Sequence, residues 1–314
     1  VTKRWVTLPR PIEDYRISPR NLEVDKSRIE RLIRDSLDAI DKDYDVSAYD
    51  STALFLGARR AEYGMIGLCG YPGMLGWSQA PVLKTKSGRT VRGGVAIFTF
   101  QAHLGTLFHD TAHILGGVKD GKRLIPCLYD HDLQARPGPL RETFEAATVN
   151  MGMWDPMSCH YVKWEAGPPG ISSWTRLRLG WIDERRVKVV ARGAIEDLVL
   201  APLGDRGAGI QVVRIPLGET TYWLIENRQP MGFDANLPGS GVLILKADDS
   251  VAERRHGKSP VRLADADPSV PNLAGAAFGA QGKNHYLDEA SGVRVEILEK
   301  AGNSFKVRID RSVN

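Results

Sequence analysis

Gly105-Thr-Leu-Phe-His-Asp-Thr-Ala-His-Ile-Leu-Gly116 decides how this chain is read. The stretch is mostly apolar and has the length and periodicity of a helix. At 3.6 residues per turn, positions four apart lie roughly 40° from each other around the axis, so His109 and His113 leave the same face. Two neutral imidazoles one turn apart supply half of a tetrahedral metal site. Asp110 follows the first of them and puts a carboxylate on the same turn. The helix is expected to start near Thr99 and to stop at Gly116-Gly117, where glycine accepts a left-handed cap. Gly116 comes three residues after His113, as needed if the chain turns sharply and carries a third ligand back under an ion.

Around this helix the composition is that of an ordinary folded protein. The 314 residues are 42% hydrophobic and 25% charged, enough for a large core and, by length, for about two domains. No segment approaches the ~18 consecutive apolar residues of a membrane span. The 42 basic and 38 acidic residues leave a net charge of +4. Basic clusters such as Arg185-Arg186 and Arg254-Arg255 are short and scattered, which reads as solvated surface and argues against nucleic acid as a partner. Three cysteines, Cys69, Cys127 and Cys159, exclude a disulfide framework and leave the redox compartment open. Cys159 is expected as a buried free thiol or as a bridge partner of Cys69. Val1-Thr-Lys-Arg-Trp5 is not followed by the apolar run of a secretory signal, as in a processed or trimmed chain.

Along the chain, the first two dozen residues are rich in proline and charge and are expected to run extended over the surface. Ser27-Arg-Ile-Glu30 fits a capping box. Ile29, Leu32, Ile33, Leu37 and Ile40 follow at helical spacing and predict a helix covering a sheet. Thr52–Leu56 and Gly94–Thr99 read as short buried strands. The glycine-rich stretch from Gly64 to Gly76 between them reads as loop, since it lacks the Gly-Lys-Ser/Thr of a phosphate cradle. Residues 117–153 read as irregular, interrupted by Pro126, Pro137 and Pro139. After Gly180 the texture changes to short strands at 186–190, 197–200, 210–213, 222–225, 241–245, 293–297 and 304–308. Repeated short strands bounded by turn residues predict an all-β sandwich or barrel. A boundary near residue 185 follows, giving a first domain of 1–185 and a β-rich domain of 186–314.

Further segments extend the pattern of the histidine helix. Leu128-Tyr-Asp130 comes next, then Trp154-Asp-Pro-Met157-Ser158, then Ser173-Trp-Thr-Arg-Leu-Arg-Leu-Gly-Trp181. Glu226-Asn-Arg-Gln229 and Gly232-Phe-Asp-Ala-Asn-Leu-Pro-Gly-Ser-Gly-Val-Leu-Ile244 follow. Together these segments resemble the immune inhibitor A family of secreted bacterial zinc metallopeptidases, members of the zincins. That family's pattern is His-Glu-x-x-His-x-x-Gly-x-x-Asp with Leu-Tyr-Asp, then Trp-Asp-x-Met-Ala/Ser. The likeness spans roughly residues 95 to 310. It implies an α+β protein: a zincin-like metallopeptidase domain, sheet plus active-site helix, followed by a β-sandwich-like C-terminal domain. It also implies zinc as cofactor, a protein or peptide substrate and an extracellular location. By the same resemblance His109 and His113 bind zinc, Asp110 occupies the general-base slot and Met157 forms a hydrophobic floor.

Two departures bear on the chemistry. A hydrolytic zinc site takes three protein ligands, keeps a position for water and needs a carboxylate beside it. Asp110 stands where the family has Glu, and its carboxylate retreats by about 1–1.5 Å, a displacement that can cost about 10²-fold in rate. The family's third ligand comes three residues after the glycine, a slot that Lys119 holds here. Asp120, one residue on, is the expected third ligand. Cys127 takes that place if an insertion precedes Leu-Tyr-Asp, and Asp130, His131 and Glu145 are also within reach in sequence. A thiolate would bind zinc well but leave it less electrophilic.

Other polar residues rank lower. His103 lies about 120° from His109 around the helix and reads as a surface or supporting histidine. His160 and Tyr161 are candidate donors to a developing oxyanion, and Asp155 reads as a turn-fixing carboxylate. Two readings compete with a zinc endopeptidase. One is a degenerate relative that serves as a binding or structural module, and the other is a hydrolase of small amides. The sequence does not encode a readable oligomeric state.

Overall fold

Four apolar residues at helical spacing, Ile29, Leu32, Ile33 and Leu37, form the buried face of helix α1 (Lys26–Ile40) in the computed structural model. The structure describes residues 2, 4–78, 82–135, 144–162, 166–252 and 255–312; Pro137, Pro139 and Arg254 lie outside the described residues. Burying each of the four side chains contributes about 1.5–3 kcal/mol. The capping box expected at Ser27 and Glu30 does not form. Asp25 is the cap, accepting from the Ser27 N–H at 2.9 Å, while Glu30 pairs with Arg34 at 2.7 Å. A carboxylate satisfies an orphan N–H and also complements the helix dipole, so Asp25 is well suited to the position.

The chain is mixed α+β, with several sheets, and its packing divides into two compact units at Ile125–Pro126. The first unit holds α1 and then β1 (Ser51–Leu56), α2 (Arg60–Tyr63), β2 (Gly67–Tyr71) and β3 (Gly94–Thr99). β3 is central and buried throughout, parallel to β1 and antiparallel to β2. Leu54, Leu56, Leu68, Val95 and Ile97 share one core with α1. Tyr15 and Ile17 enter the same core, so the N-terminal stretch does not simply run over the surface. The Tyr15 hydroxyl donates to Asp35 at 2.7 Å, and the Ile17 N–H donates to the Tyr63 carbonyl at 2.8 Å.

The opposite face of the sheet carries helix α3 (Leu104–Gly116), which packs on β2 and β3. It begins at Leu104 rather than near Thr99, because Thr99 completes β3 and its hydroxyl donates to the Ile66 carbonyl at 3.0 Å. β2 corrects the reading of residues 64–76 as loop. A Cβ at Gly67 would lie 2.6 Å from Thr106 Cγ2 and 2.9 Å from Asp110 Oδ2. The glycine here permits a strand to approach a helix closely. After α3 come β4 (Val118–Lys119) and β5 (Lys122–Arg123), a two-stranded hairpin.

The second unit begins with α4 (His131–Ala135) and α5 (Ser173–Arg178). Strands follow: β6 (Val187–Val189), β7 (Ile195–Leu200), β8 (Val212–Pro216), β9 (Thr221–Arg228), β10 (Gly241–Asp248), β11 (Val261–Leu263), β12 (His285–Asp288), β13 (Val293–Ala301) and β14 (Ser304–Asp310). One sheet runs β11-β10-β9-β8-β6 and the other β12-β13-β14-β7. Val213, Ile225 and Ile244 of the first meet Val295, Val307 and Ile309 of the second in one core. Every strand segment read from the sequence after Gly180 overlaps an observed strand, and β11 and β12 are additions of three and four residues.

The texture changes near residue 185, but residues 126–185 pack with the strands that follow. Arg228 of β9 is fully buried and donates to the carbonyls of Trp154 and Gly170 at 2.9 and 2.8 Å. It pairs with Glu226 at 3.0 Å and Asp234 at 2.8 Å. Burial alone would lower its pKa, yet Asp234 and Glu226 more than offset this and hold the guanidinium charged. The Trp154 indole N–H also donates to the Leu273 carbonyl at 2.7 Å.

All three cysteines are buried and none is in a disulfide, so the bridge considered between Cys69 and Cys159 does not form. Among the described residues no helix is long and apolar enough to cross a membrane.

The close approach at β2 is open to test. Gly67→Ala is expected to lower stability by about 1–3 kcal/mol through overpacking. Adding Thr106→Ser, which removes Cγ2, should recover part of that loss. Urea midpoints of the parent, single and double variants check the coupling.

Candidate metal centre

His109 and His113 lie on the buried side of α3, with ring centroids 4.8 Å apart and planes at 90°. The rings therefore converge, as their spacing requires. His113 Nδ1 lies 2.6 Å from the Ile125 carbonyl oxygen and donates its hydrogen there. That bond selects the tautomer in which Nε2 carries a lone pair, the arrangement of a metal-binding histidine.

The path of the chain after α3 explains which group joins them. Gly117 closes the helix with φ 62°, its N–H donating to the His113 carbonyl at 3.0 Å. The hairpin follows, and its turn residues Asp120 and Gly121 have φ 52° and 71°. Positive φ at both central positions is what a type I′ turn demands, and Asp-Gly is a favoured dipeptide for it. Asp120, the expected third ligand, is thus exposed at the hairpin tip and does not join the imidazoles.

Beyond the hairpin the Leu124 N–H donates to the Gly117 carbonyl at 3.0 Å, and Ile125 receives His113. Cys127 is two residues further along. Its Sγ and one nitrogen from each of His109 and His113 all lie within 4.8 Å of one another, and all three residues are buried. Among the described residues this is the one such group able to hold a metal ion.

The remaining sequence candidates are placed as follows by the chain. Asp130 is buried and caps α4, accepting from the Asp132 and Leu133 N–H groups at 3.0 Å each, and it contacts His256 Nδ1 at 2.9 Å. His131 opens α4 with its ring 4.9 Å from that of Tyr129. Glu145 lies in the short 3-10 turn Phe144–Ala147. His103 is the N-cap residue of α3, its Nε2 3.2 Å from the Thr106 hydroxyl, and burial lowers its pKa.

The donor set suits a metal. Zn–N of 2.0–2.1 Å and Zn–S of 2.3 Å imply roughly 3.3–3.6 Å between ligand atoms around a tetrahedral ion. Separations of no more than 4.8 Å are close enough for small side-chain rotations to reach that spacing. Two imidazoles and a thiolate favour zinc and similar transition metals over magnesium or calcium.

Asp110 shares the helix with the two histidines but points its carboxylate toward β2. Burial pushes its carboxyl up to about 6, against the opposing pull of His109, Arg123 and a backbone hydrogen bond from Cys69. Its Oδ2 is buried without a hydrogen-bond partner. A divalent ion nearby would favour the charged carboxylate.

Later in the chain, Met157 is fully buried and its carbonyl accepts from the Leu128 N–H at 2.8 Å. Asp155 holds this turn as expected. Its Oδ1 accepts from the Met157 N–H at 2.8 Å, and its Oδ2 accepts from the Ser172 N–H at 2.9 Å and the Thr175 hydroxyl at 2.7 Å. Two features escaped sequence reading. One is Cys69 as a backbone partner for Asp110, and the other is Tyr129, whose hydroxyl lies 3.2 Å from Cys127 Sγ. The two-residue spacing Cys-x-Tyr was the available signal for the second.

No protein-family model, curated protein or solved structure matches this chain.

The geometry predicts one tightly held divalent ion per chain in calorimetric titration of chelator-stripped protein with Zn²⁺. Cys127→Ala and His113→Ala should each weaken binding by more than the roughly 10–100-fold typical of losing a supporting partner. Asp120→Ala should leave it unchanged.

Proposed function

We propose that this chain is a zinc-dependent peptidase of modest rate, with the ion held by His109, His113 and Cys127. The observation that carries the proposal is the convergence of those three buried ligand groups behind one turn of α3. The resemblance of residues 109–116, 128–130 and 154–158 to the immune inhibitor A family supports a zincin-like domain followed by a β-sandwich-like one. It also supports protein substrates and secretion.

Bound at this centre, the ion would supply Lewis-acid polarisation of a peptide carbonyl and raise the acidity of a water molecule. Asp110 is the candidate general base: its carboxylate would swing from its seat against β2 to take the proton of the attacking water and return it to the departing amine. Burial keeps that carboxylate more basic than an exposed aspartate, nearer the range in which a base operates at neutral pH. The Ile125 carbonyl keeps His113 in the ligating tautomer, and Asp155 holds the Met157 turn.

A second reading has an observation of its own. The Asp110 carboxylate stands against Gly67 and Thr106, takes a hydrogen bond from the Cys69 backbone and lies outside the converging group. A carboxylate held this way favours a protein that binds metal for structure or recognition and does not turn over.

Cleavage of an unstructured protein such as casein separates the two. The peptidase should lose activity to a chelator and regain it with one equivalent of Zn²⁺. Asp110→Asn should slow it by about 10²–10⁴-fold, and Asp110→Glu, by restoring reach, should speed it by about 10²-fold. Zinc binding without cleavage in either the parent or Asp110→Glu would leave only the binding module.

A further inference from the structure

We infer that Tyr129 is a positioning residue for the metal centre, whose phenol O–H donates to the Cys127 thiolate and sets how much charge the sulfur gives to the ion. The inference rests on the metal-centre reading above and concerns one ligand within it.

The local chain dictates the pairing. The Leu128 N–H donates to the Met157 carbonyl at 2.8 Å, and the Asp130 N–H donates to the Ala147 carbonyl at 2.7 Å. Two bonds from alternate residues hold residues 128–130 in place around a bend at Tyr129. That bend leaves Cys127 Sγ 3.2 Å from the phenol oxygen of Tyr129, both residues buried. The Tyr129 ring packs in one apolar cluster with Cys127, Ala147 and Leu133 and lies against His131. The same packing places the hydroxyl beside the sulfur.

A phenol donates one hydrogen and accepts in turn, whereas a thiolate only accepts. With sulfur protonated, Sγ–H donates to the phenol oxygen. A metal takes the thiolate form, so the thiol proton leaves for solvent on binding, and the phenol rotates to donate to sulfur while keeping its own hydrogen. A hydrogen bond to a ligating atom withdraws electron density from it, and such outer partners tune both metal affinity and the electronic properties of the ion. Here the effect runs against the loss of electrophilicity that a thiolate ligand brings. Tyr129 thus compensates in part for having sulfur as the third ligand.

Cobalt provides a readout that does not depend on activity. The stripped full-length chain is loaded with Co²⁺ alone, and the near-ultraviolet sulfur-to-cobalt charge-transfer band is recorded. Tyr129→Phe keeps the ring and deletes the donor. It should move the band to lower energy and weaken Co²⁺ binding by about 10–100-fold. A ring-fluorinated tyrosine placed at position 129 is a stronger donor and should move the band the other way, so the test survives if Tyr129→Phe fails to fold. A parent band that neither replacement moves overturns the role of Tyr129 and leaves the centre standing. Cobalt binding with no such band in the parent removes Cys127 as a ligand, and the metal-centre reading falls with this inference.

Discussion

The hydrogen bond from His113 Nδ1 to the Ile125 carbonyl, at 2.6 Å, is the constraint on which the candidate centre depends. In energy it is ordinary, since a neutral buried bond contributes about 1 kcal/mol net. Its consequence is directional. It assigns the hydrogen to Nδ1, leaves Nε2 as the lone-pair donor and moors the returning chain beside the helix. From that mooring, Pro126 with its restricted φ delivers Cys127 two residues later. The two ends of the hairpin between Gly117 and Leu124 are joined by the bond from the Leu124 N–H to the Gly117 carbonyl, which keeps its tip residues Asp120 and Gly121 away from the ligands.

The same helix meets a second constraint on its sheet side. β2 carries glycine at position 67, where any side chain would collide with Thr106 and Asp110. The shorter aspartate fits the narrow space between helix and strand. One more methylene would have to extend along the strand or out of the interface. The position of the acidic group and the identity of its strand neighbour are therefore one packing decision, and chemistry at Asp110 cannot be separated from the backbone of β2.

Periodic signals were legible in the sequence, and signals that depend on remote contacts were not. The stripe from Ile29 to Leu37 was legible because local spacing alone determines which face of a helix is buried, and the apolar runs marked β1 and β3 as strands, although only β3 is buried and β1 alternates exposed and half-buried residues. β2 was read as loop because its glycines, poor strand formers by propensity, are explained only by the helices packed over them, α3 at Gly67 and α1 at Gly70. The two histidines were placed on one face by helical geometry. Counting from Gly116 points to Asp120 as third ligand, while the Asp-Gly turn carries that residue away and leaves Cys127 beside the imidazoles. Reading Asp120-Gly121 as a hairpin tip would have moved attention to Cys127. Segments of the resemblance around Trp154, Glu226 and Asp234 prove to surround the buried Arg228, a packing task that the sequence did not reveal.

Charge counting shows what kind of centre these residues can make. A carboxylate and a thiolate each bring one negative charge, so replacing one with the other leaves the formal charge of a loaded site unchanged. What changes is covalency: sulfur shares more electron density with the ion and blunts its pull on a substrate carbonyl. A weaker Lewis acid asks more of its base, and in the proposed peptidase that base, Asp110, is short and lies against a strand. Under that proposal both departures push toward slower hydrolysis, and the hydroxyl of Tyr129 would push back at the sulfur. Burial of the whole ligand set strengthens each of these electrostatic terms, because little water screens them. In such a site a single phenol hydrogen can decide whether the ion serves chiefly to hold or also to react.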